Sequence, residues 1–148
     1  MLEKTNQQIL RCLQRDSRMQ LQEIGKIVHL TGQAVAIRIR NMKDEGVIEA
    51  FTVDLNSEKI GRPIYAFITV FMKDSADHLS FQRSLSDRDD VVEAYRITGE
   101  GCYWLKANLA NQDELNTLLD AILIYGNYKV STAINKINLK SLATECEI

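Results

Sequence analysis

The sequence predicts an α+β protein in which three short helices are followed by a hinge strand and a βαββαβ domain. Three observations carry that prediction. Apolar residues recur three and four apart through positions 1–48, with Thr and Gly at the ends of the runs. From position 49 the apolar period changes to two. From 64 onward, strand and helix patterns fall into two similar halves joined at Gly99-Glu100-Gly101.

In the first segment, Thr5-Asn6-Gln7-Gln8 reads as a capping box, so a helix is expected to start at Thr5. Ile9, Leu10 and Leu13 give it an apolar stripe, and Asp16-Ser17 ends it. Leu21, Ile24, Ile27 and Val28 mark a second helix, for which Gln20 is a poor cap. Thr31 is a good cap for a third, whose Val35, Ile39 and Met42 share one face. Gly46 tolerates the left-handed backbone that closes a helix, after which Val47-Ile48 can fold back on the last turn. Only His29 to Thr31 separate the second and third helices. So short a joint makes them cross steeply, which is the helix-turn-helix arrangement.

Glu49 to Asn56 alternates, with Phe51, Val53 and Leu55 on one side, the mark of a half-buried strand. The only proline, Pro63, closes the stretch that follows, so 49–63 reads as hinge strand and linker between domains 1–48 and 64–140, with 141–148 a loose tail. Ile64 to Met72 is apolar on both faces. A helix is expected over 76–85, a strand over 91–98, a glycine hairpin, and a strand from Cys102 to Leu109 in which Tyr103 and Leu105 are read as opposing Trp104 and Ala107. Asn111 to Glu114 is a second capping box, opening a helix with Leu115, Leu118, Leu119 and Ile122 on one stripe. Tyr125 to Lys129 is read as a turn into a last strand, 130–139. The order is the ferredoxin-like one, whose two helices cover a single sheet face. A few hundred Å² of apolar area left wet on the other would forgo several kcal/mol at ~25 cal/mol per Å², so a second subunit is expected there.

Charge separates the two domains. Residues 1–48 hold eight Lys and Arg against five Asp and Glu, a net +3, while 49–148 hold ten against fifteen, a net −5. A polyanionic partner is therefore open to the first domain only. No apolar run approaches the ~20 residues of a membrane span and no secretion signal opens the chain, so a cytoplasmic protein with no membrane partner is expected. Cys12, Cys102 and Cys146 have no CxxC spacing and read as free thiols. His29 and His78 lack metal spacing, and Gly99-Glu100-Gly101 is too short to cradle phosphates and opens a strand. No metal, no cofactor and no enzymatic activity are expected.

The third helix carries the chemistry. Rotating from its buried stripe places Gln33, Ala34, Ile37, Arg40 and Asn41 on the far side with Arg38 at the flank. Gln, Asn and Arg can read base edges, Ile37 can meet a thymine methyl, and a flanking Arg can meet a phosphate. The bland alternative is a solvated face with one stray isoleucine.

Taken in order, Asp16-Ser17-Arg18, Leu30-Thr31, Arg38-Ile39-Arg40-Asn41-Met42, Gly46-Val47-Ile48, the hinge strand through Asn56, and Thr98-Gly99-Glu100-Gly101-Cys102-Tyr103 give a chain that resembles the Lrp/AsnC, or feast/famine, regulators over about 2 to 140. The resemblance implies a sequence-specific regulator that binds operator DNA as a dimer, assembling further into tetramers or octamers. Thr31, Gln33, Ala34, Ile37, Arg38, Arg40 and Asn41 would lie on or beside its recognition helix, and Gly99, Glu100, Gly101 and Cys102 in a small-molecule effector site. Where many relatives carry Gly-Asp-x-Asp-Tyr, this chain has Gly99-Glu100-Gly101-Cys102-Tyr103. The aspartate that would hold an amino group is absent, so an amino-acid effector is not implied, and Glu100 stands as a candidate substitute. Glu3 and Asn6 likewise stand where many relatives have aspartates. Two other readings are carried alongside: an architectural protein that wraps DNA without sensing amino acids, and a tetrapyrrole decarboxylase-like enzyme, against which the scarcity of histidine argues.

Overall fold

The structure, a computed structural model, describes residues 1–75 and 77–139. The chain divides into two compact units, one from Met1 to Asp54 and one from Leu55 onward, a divide inside the expected 49–63 hinge.

The first unit is three helices: α1 (Lys4–Arg15), α2 (Leu21–Val28) and α3 (Gly32–Asp44). Their shared core is Ile9, Ile24, Val35 and Met42, all fully buried, with Cys12, Val28 and Ile48 around them. Of the expected α2 stripe only Ile24 and Val28 go inside, and Leu21 and Ile27 remain exposed. The Thr5 capping box does not form. Glu3 is the residue before the first turn, because starting there adds a bond from the Gln7 amide to the Glu3 carbonyl, and the Gln7 side chain reaches back to the Leu2 carbonyl instead. Gln20 proves better placed than its type suggested, since Glu23 reaches back to accept from its amide at 3.3 Å. α3 ends as expected: Gly46 sits at φ 74°, and the Ile48 amide donates to the Met42 carbonyl.

The expected hinge strand is not formed. Phe51, Val53 and Leu55 are more than half exposed, and residues 49–56 pair with no strand among the described residues. Alternation specifies which side chains would share a face, but a strand also needs a neighbour's N–H and C=O groups, and the described residues provide none here.

The second unit runs β1 (Ile64–Met72), α4 (His78–Ser86), β2 (Val91–Arg96), β3 (Tyr103–Leu109), α5 (Gln112–Leu123) and β4 (Gly126–Thr132), in an antiparallel sheet of order β2-β3-β1-β4. The βαββαβ expectation holds. α4 is capped by Asp77, two residues after Ser75, and the expected start at 76 lies outside the described residues. The last strand differs most. It starts at Gly126 and ends at Thr132, pairing from Met72 to Ala66, rather than spanning 130–139. Gly126 is not a turn residue; it lets β4 press directly on the β1 backbone. Only half of the second capping box forms: Asn111 accepts from the Glu114 amide, but the Glu114 carboxylate takes the Ala110 amide in place of that of Asn111, together with the Arg62 guanidinium, and so ties the linker to the helix start. The tail from 140 lies outside the described residues.

Ala66, Ile68 and Val70 of β1 pack with Tyr103, Leu105, Ala107 and Leu109 of β3 beneath Phe81, Leu85, Leu115, Leu118 and Ile122 of the helices. Ala107 thus lies with Tyr103 and Leu105, not opposite them, as the two-residue period of a strand requires. The other face carries Tyr65, Phe67 and Phe71 with Trp104 and Tyr95, including a stacked Phe67–Trp104 pair with centroids 5.7 Å apart. No helix of the described unit covers it.

Candidate functional site

α3 is presented by its neighbours rather than by its own propensity. Thr31 adopts an extended backbone and its hydroxyl accepts from the Ala34 amide at 3.1 Å, which starts the helix cleanly. Ahead of it, His29 takes the left-handed conformation at φ 56°, turning the chain between α2 and α3 within three residues. Val35 and Met42 then seal one side of α3 into the core. On the opposite side Gln33, Ile37, Arg40 and Asn41 are exposed, Ile37 to 49%, and Ala34 is half-buried at the edge. This is the face the sequence indicated, standing clear of the rest of its unit. Lys26, in the last turn of α2, is exposed as well.

Arg38 stands at the flank of this face, half-exposed, and is engaged by side chains of its own unit. One nitrogen of its guanidinium donates to a Glu3 carboxylate oxygen at 2.8 Å and to the Asn6 side-chain oxygen at 2.9 Å, and the other stands 3.4 Å from the second Glu3 oxygen. The bonded guanidinium holds the Glu3 carboxyl below the usual carboxylate range, chiefly through the hydrogen bond and then through its charge. Sequence reading missed this contact because its partners are 35 and 32 residues apart and carry no local spacing signal.

The second candidate is the turn between β2 and β3. Gly99 and Gly101 take φ of 87° and 96°, and a side chain at Gly101 would overlap the Thr69 methyl. The turn is stitched to β1, with the Cys102 amide donating to the Val70 carbonyl at 2.8 Å. Cys102 is a half-buried free thiol. The Glu100 carboxylate meets the Lys129 ammonium at 2.6 Å, which lowers its pKa through a hydrogen bond and then through charge, while Lys129 also sits over the Phe71 ring. The structure brings Gly99, Glu100, Gly101 and Cys102 together. A groove of about 420 Å³ that the sequence did not reveal lies between α4 and the edge strand β2, lined by Gln82, Leu85, Val91, Ala94, Arg96 and Tyr103.

Residues 2–43 match the AsnC-type helix-turn-helix domain, and residues 65–139 match the Lrp/AsnC ligand binding domain. The chain belongs to the Lrp/AsnC family. It is 38% identical over 130 residues to the HTH-type transcriptional regulator LrpB of Bacillus subtilis, across 88% of this chain and 87% of that protein. It is also 30% identical to LrpA of the same organism, across 92% of this chain and all of that protein. Among solved structures, B. subtilis LrpC superposes with a TM-score of 0.84 at 23% identity, covering 94% of this chain and 99% of that one. A Neisseria meningitidis transcriptional regulator solved as an L-Met complex superposes with a TM-score of 0.83 at 24% identity, covering 93% of each chain. This Lrp/AsnC member is thus a helix-turn-helix transcriptional regulator, and its curated relatives are regulators rather than enzymes.

Proposed function

We propose that this Lrp/AsnC regulator reads operator DNA by seating the exposed face of α3 in the major groove, as a dimer whose two copies of α3 meet half-sites about one helical turn, or a multiple of it, apart. The observation that carries this is the exposure of Ile37 among Gln33, Arg40 and Asn41, opposite a face sealed by Val35 and Met42. Ile37 is one of several apolar side chains exposed on this unit, Leu21 and Ile27 among them, but it is the one set between Gln33, Arg40 and Asn41 on a single helix face, and covering it regains hydrophobic stabilisation. A thymine methyl between hydrogen-bonded base edges supplies that cover. Thr31 and Ala34, at the start of the helix, lie where the groove wall passes. The +3 charge of residues 1–48 favours the polyanion, and the cytoplasm is where this partner would be met.

The dimer follows from the uncovered sheet face with its five aromatic side chains, and dimers can pair further into tetramers or octamers. The turn from Gly99 to Cys102 is proposed as the effector site. Because Lys129 already answers the charge of Glu100, the turn supports a small molecule other than one recognised through its ammonium group.

Selecting duplexes from a randomised library and then competing the winner against unselected DNA tests the reading. The selected duplex should win by at least about 10³-fold, the lower end for specific binders. A ratio near unity would replace base reading by architectural wrapping. Light scattering at micromolar concentration should show a dimer or larger, and a monomer would sink the sheet-face assignment.

A further inference from the structure

We infer that Arg38 is a positioning residue for DNA recognition, tying the first turn of α1 to the middle of α3 through Glu3 and Asn6 instead of giving its charge to a phosphate. The inference rests on α3 being the DNA-reading helix.

Its direction around the helix comes first. At about 100° per residue, the exposed face centres between Gln33, Ile37, Arg40 and Asn41, and Arg38 lies about 115° from that centre but only about 40° from Met42, which is fully buried. Arg38 points toward the packed side, and its side chain is 31% exposed. The hydrogen-bond count comes next. Both Glu3 oxygens and the Asn6 oxygen face the guanidinium, a forked arrangement that a lysine cannot reproduce. Glu3 makes no side-chain cap bond to its own helix, although it stands at the cap position where a carboxylate would ordinarily take backbone amides. Its charge is turned across to α3 instead. The depressed Glu3 pKa is consistent with that commitment. Hydrogen bonds to base edges tolerate only about half an ångström of displacement, so a tie that sets the roll of α3 on its domain affects base reading without touching DNA.

The test measures affinity for the selected duplex and for random DNA across a salt series. Arg38→Gln and Glu3→Gln should each weaken binding to the selected duplex about three- to tenfold. Random-DNA affinity and the slope of log K against log salt should stay as in the native protein, because no phosphate contact is lost. The double variant should be no worse than either single one, as two ends of one interaction require. The exchanged pair, Glu3→Arg with Arg38→Glu, should recover most of the preference. Glu3→Gln serves as the second variant should Arg38→Gln lose the helical signal in circular dichroism. A salt slope reduced by about one in Arg38→Gln, tighter random-DNA binding by Glu3→Gln, or no loss from either would overturn the inference. Arg40→Ala, measured alongside, separates the two levels: if it leaves the preference intact, the α3 reading itself fails, whereas if it removes the preference while Arg38→Gln lowers the slope, only the positioning role falls.

Discussion

Gly126→Ala should destabilise the C-terminal unit by about 3 kcal/mol or more in urea unfolding, the range in which overpacking against immovable atoms falls. Gly126 pairs with Met72 at the start of β4. A Cβ there would overlap the Phe71 carbonyl oxygen and stand 2.8 Å from the Met72 Cα and the Phe71 carbonyl carbon, all of them backbone atoms of β1. Nothing flexible is available to yield, and relief requires opening the β1–β4 ladder. Space, not torsion, makes this position a glycine. Gly99→Ala is the contrast: no atom lies within 4 Å of a Cβ there, and only its φ of 87° opposes a side chain, so the loss should be nearer about 1–2 kcal/mol. If both variants unfold alike, the β1–β4 register described above is wrong.

On DNA the largest single effect belongs to Arg40. Removing a guanidinium that bonds a base edge costs about 1–3 kcal/mol on the cognate sequence and relaxes specificity at that position, so Arg40→Ala should lose roughly that much on the selected duplex and far less on random DNA. Lys26→Ala, at the exposed end of α2, should lower affinity on every sequence alike and reduce the salt slope by about one. Filter binding of both variants on both duplexes distinguishes these patterns. Equal loss for Arg40→Ala on selected and random DNA would leave the preference intact and so defeat the base-reading assignment of α3.

What was legible in the sequence was local. The Thr31 cap, the Val35 and Met42 stripe, the Gly46 stop and the Asn111 cap each involve residues within one or two helical turns, and the structure forms them all. Two kinds of feature escaped. One depends on a neighbour: the alternation of Phe51, Val53 and Leu55 describes a strand, but the described chain holds no strand beside it. The other depends on distant contacts. Tyr125 to Lys129 was read as a turn, whereas Gly126 already belongs to β4 and is small because β1 passes directly over it. Arg38 was readable only as a flanking arginine, because the Glu3 carboxylate it bonds sits 35 residues away. The exposed face of α3 was readable because burial of one helix side determines the other. The turn from Gly99 to Cys102 was readable as a hairpin but not in its charge, since the Lys129 that pairs with Glu100 comes from β4.

The most direct measurement is dimethyl sulfate protection of the selected duplex, which separates guanine N7 in the major groove from adenine N3 in the minor groove. Guanine N7 should be shielded in two clusters about one helical turn, or a multiple of it, apart, with at least one protected guanine in each cluster exposed again by Arg40→Ala. Unaltered N7 reactivity beneath the bound protein, or protection confined to adenine N3, would show that α3 does not occupy the major groove.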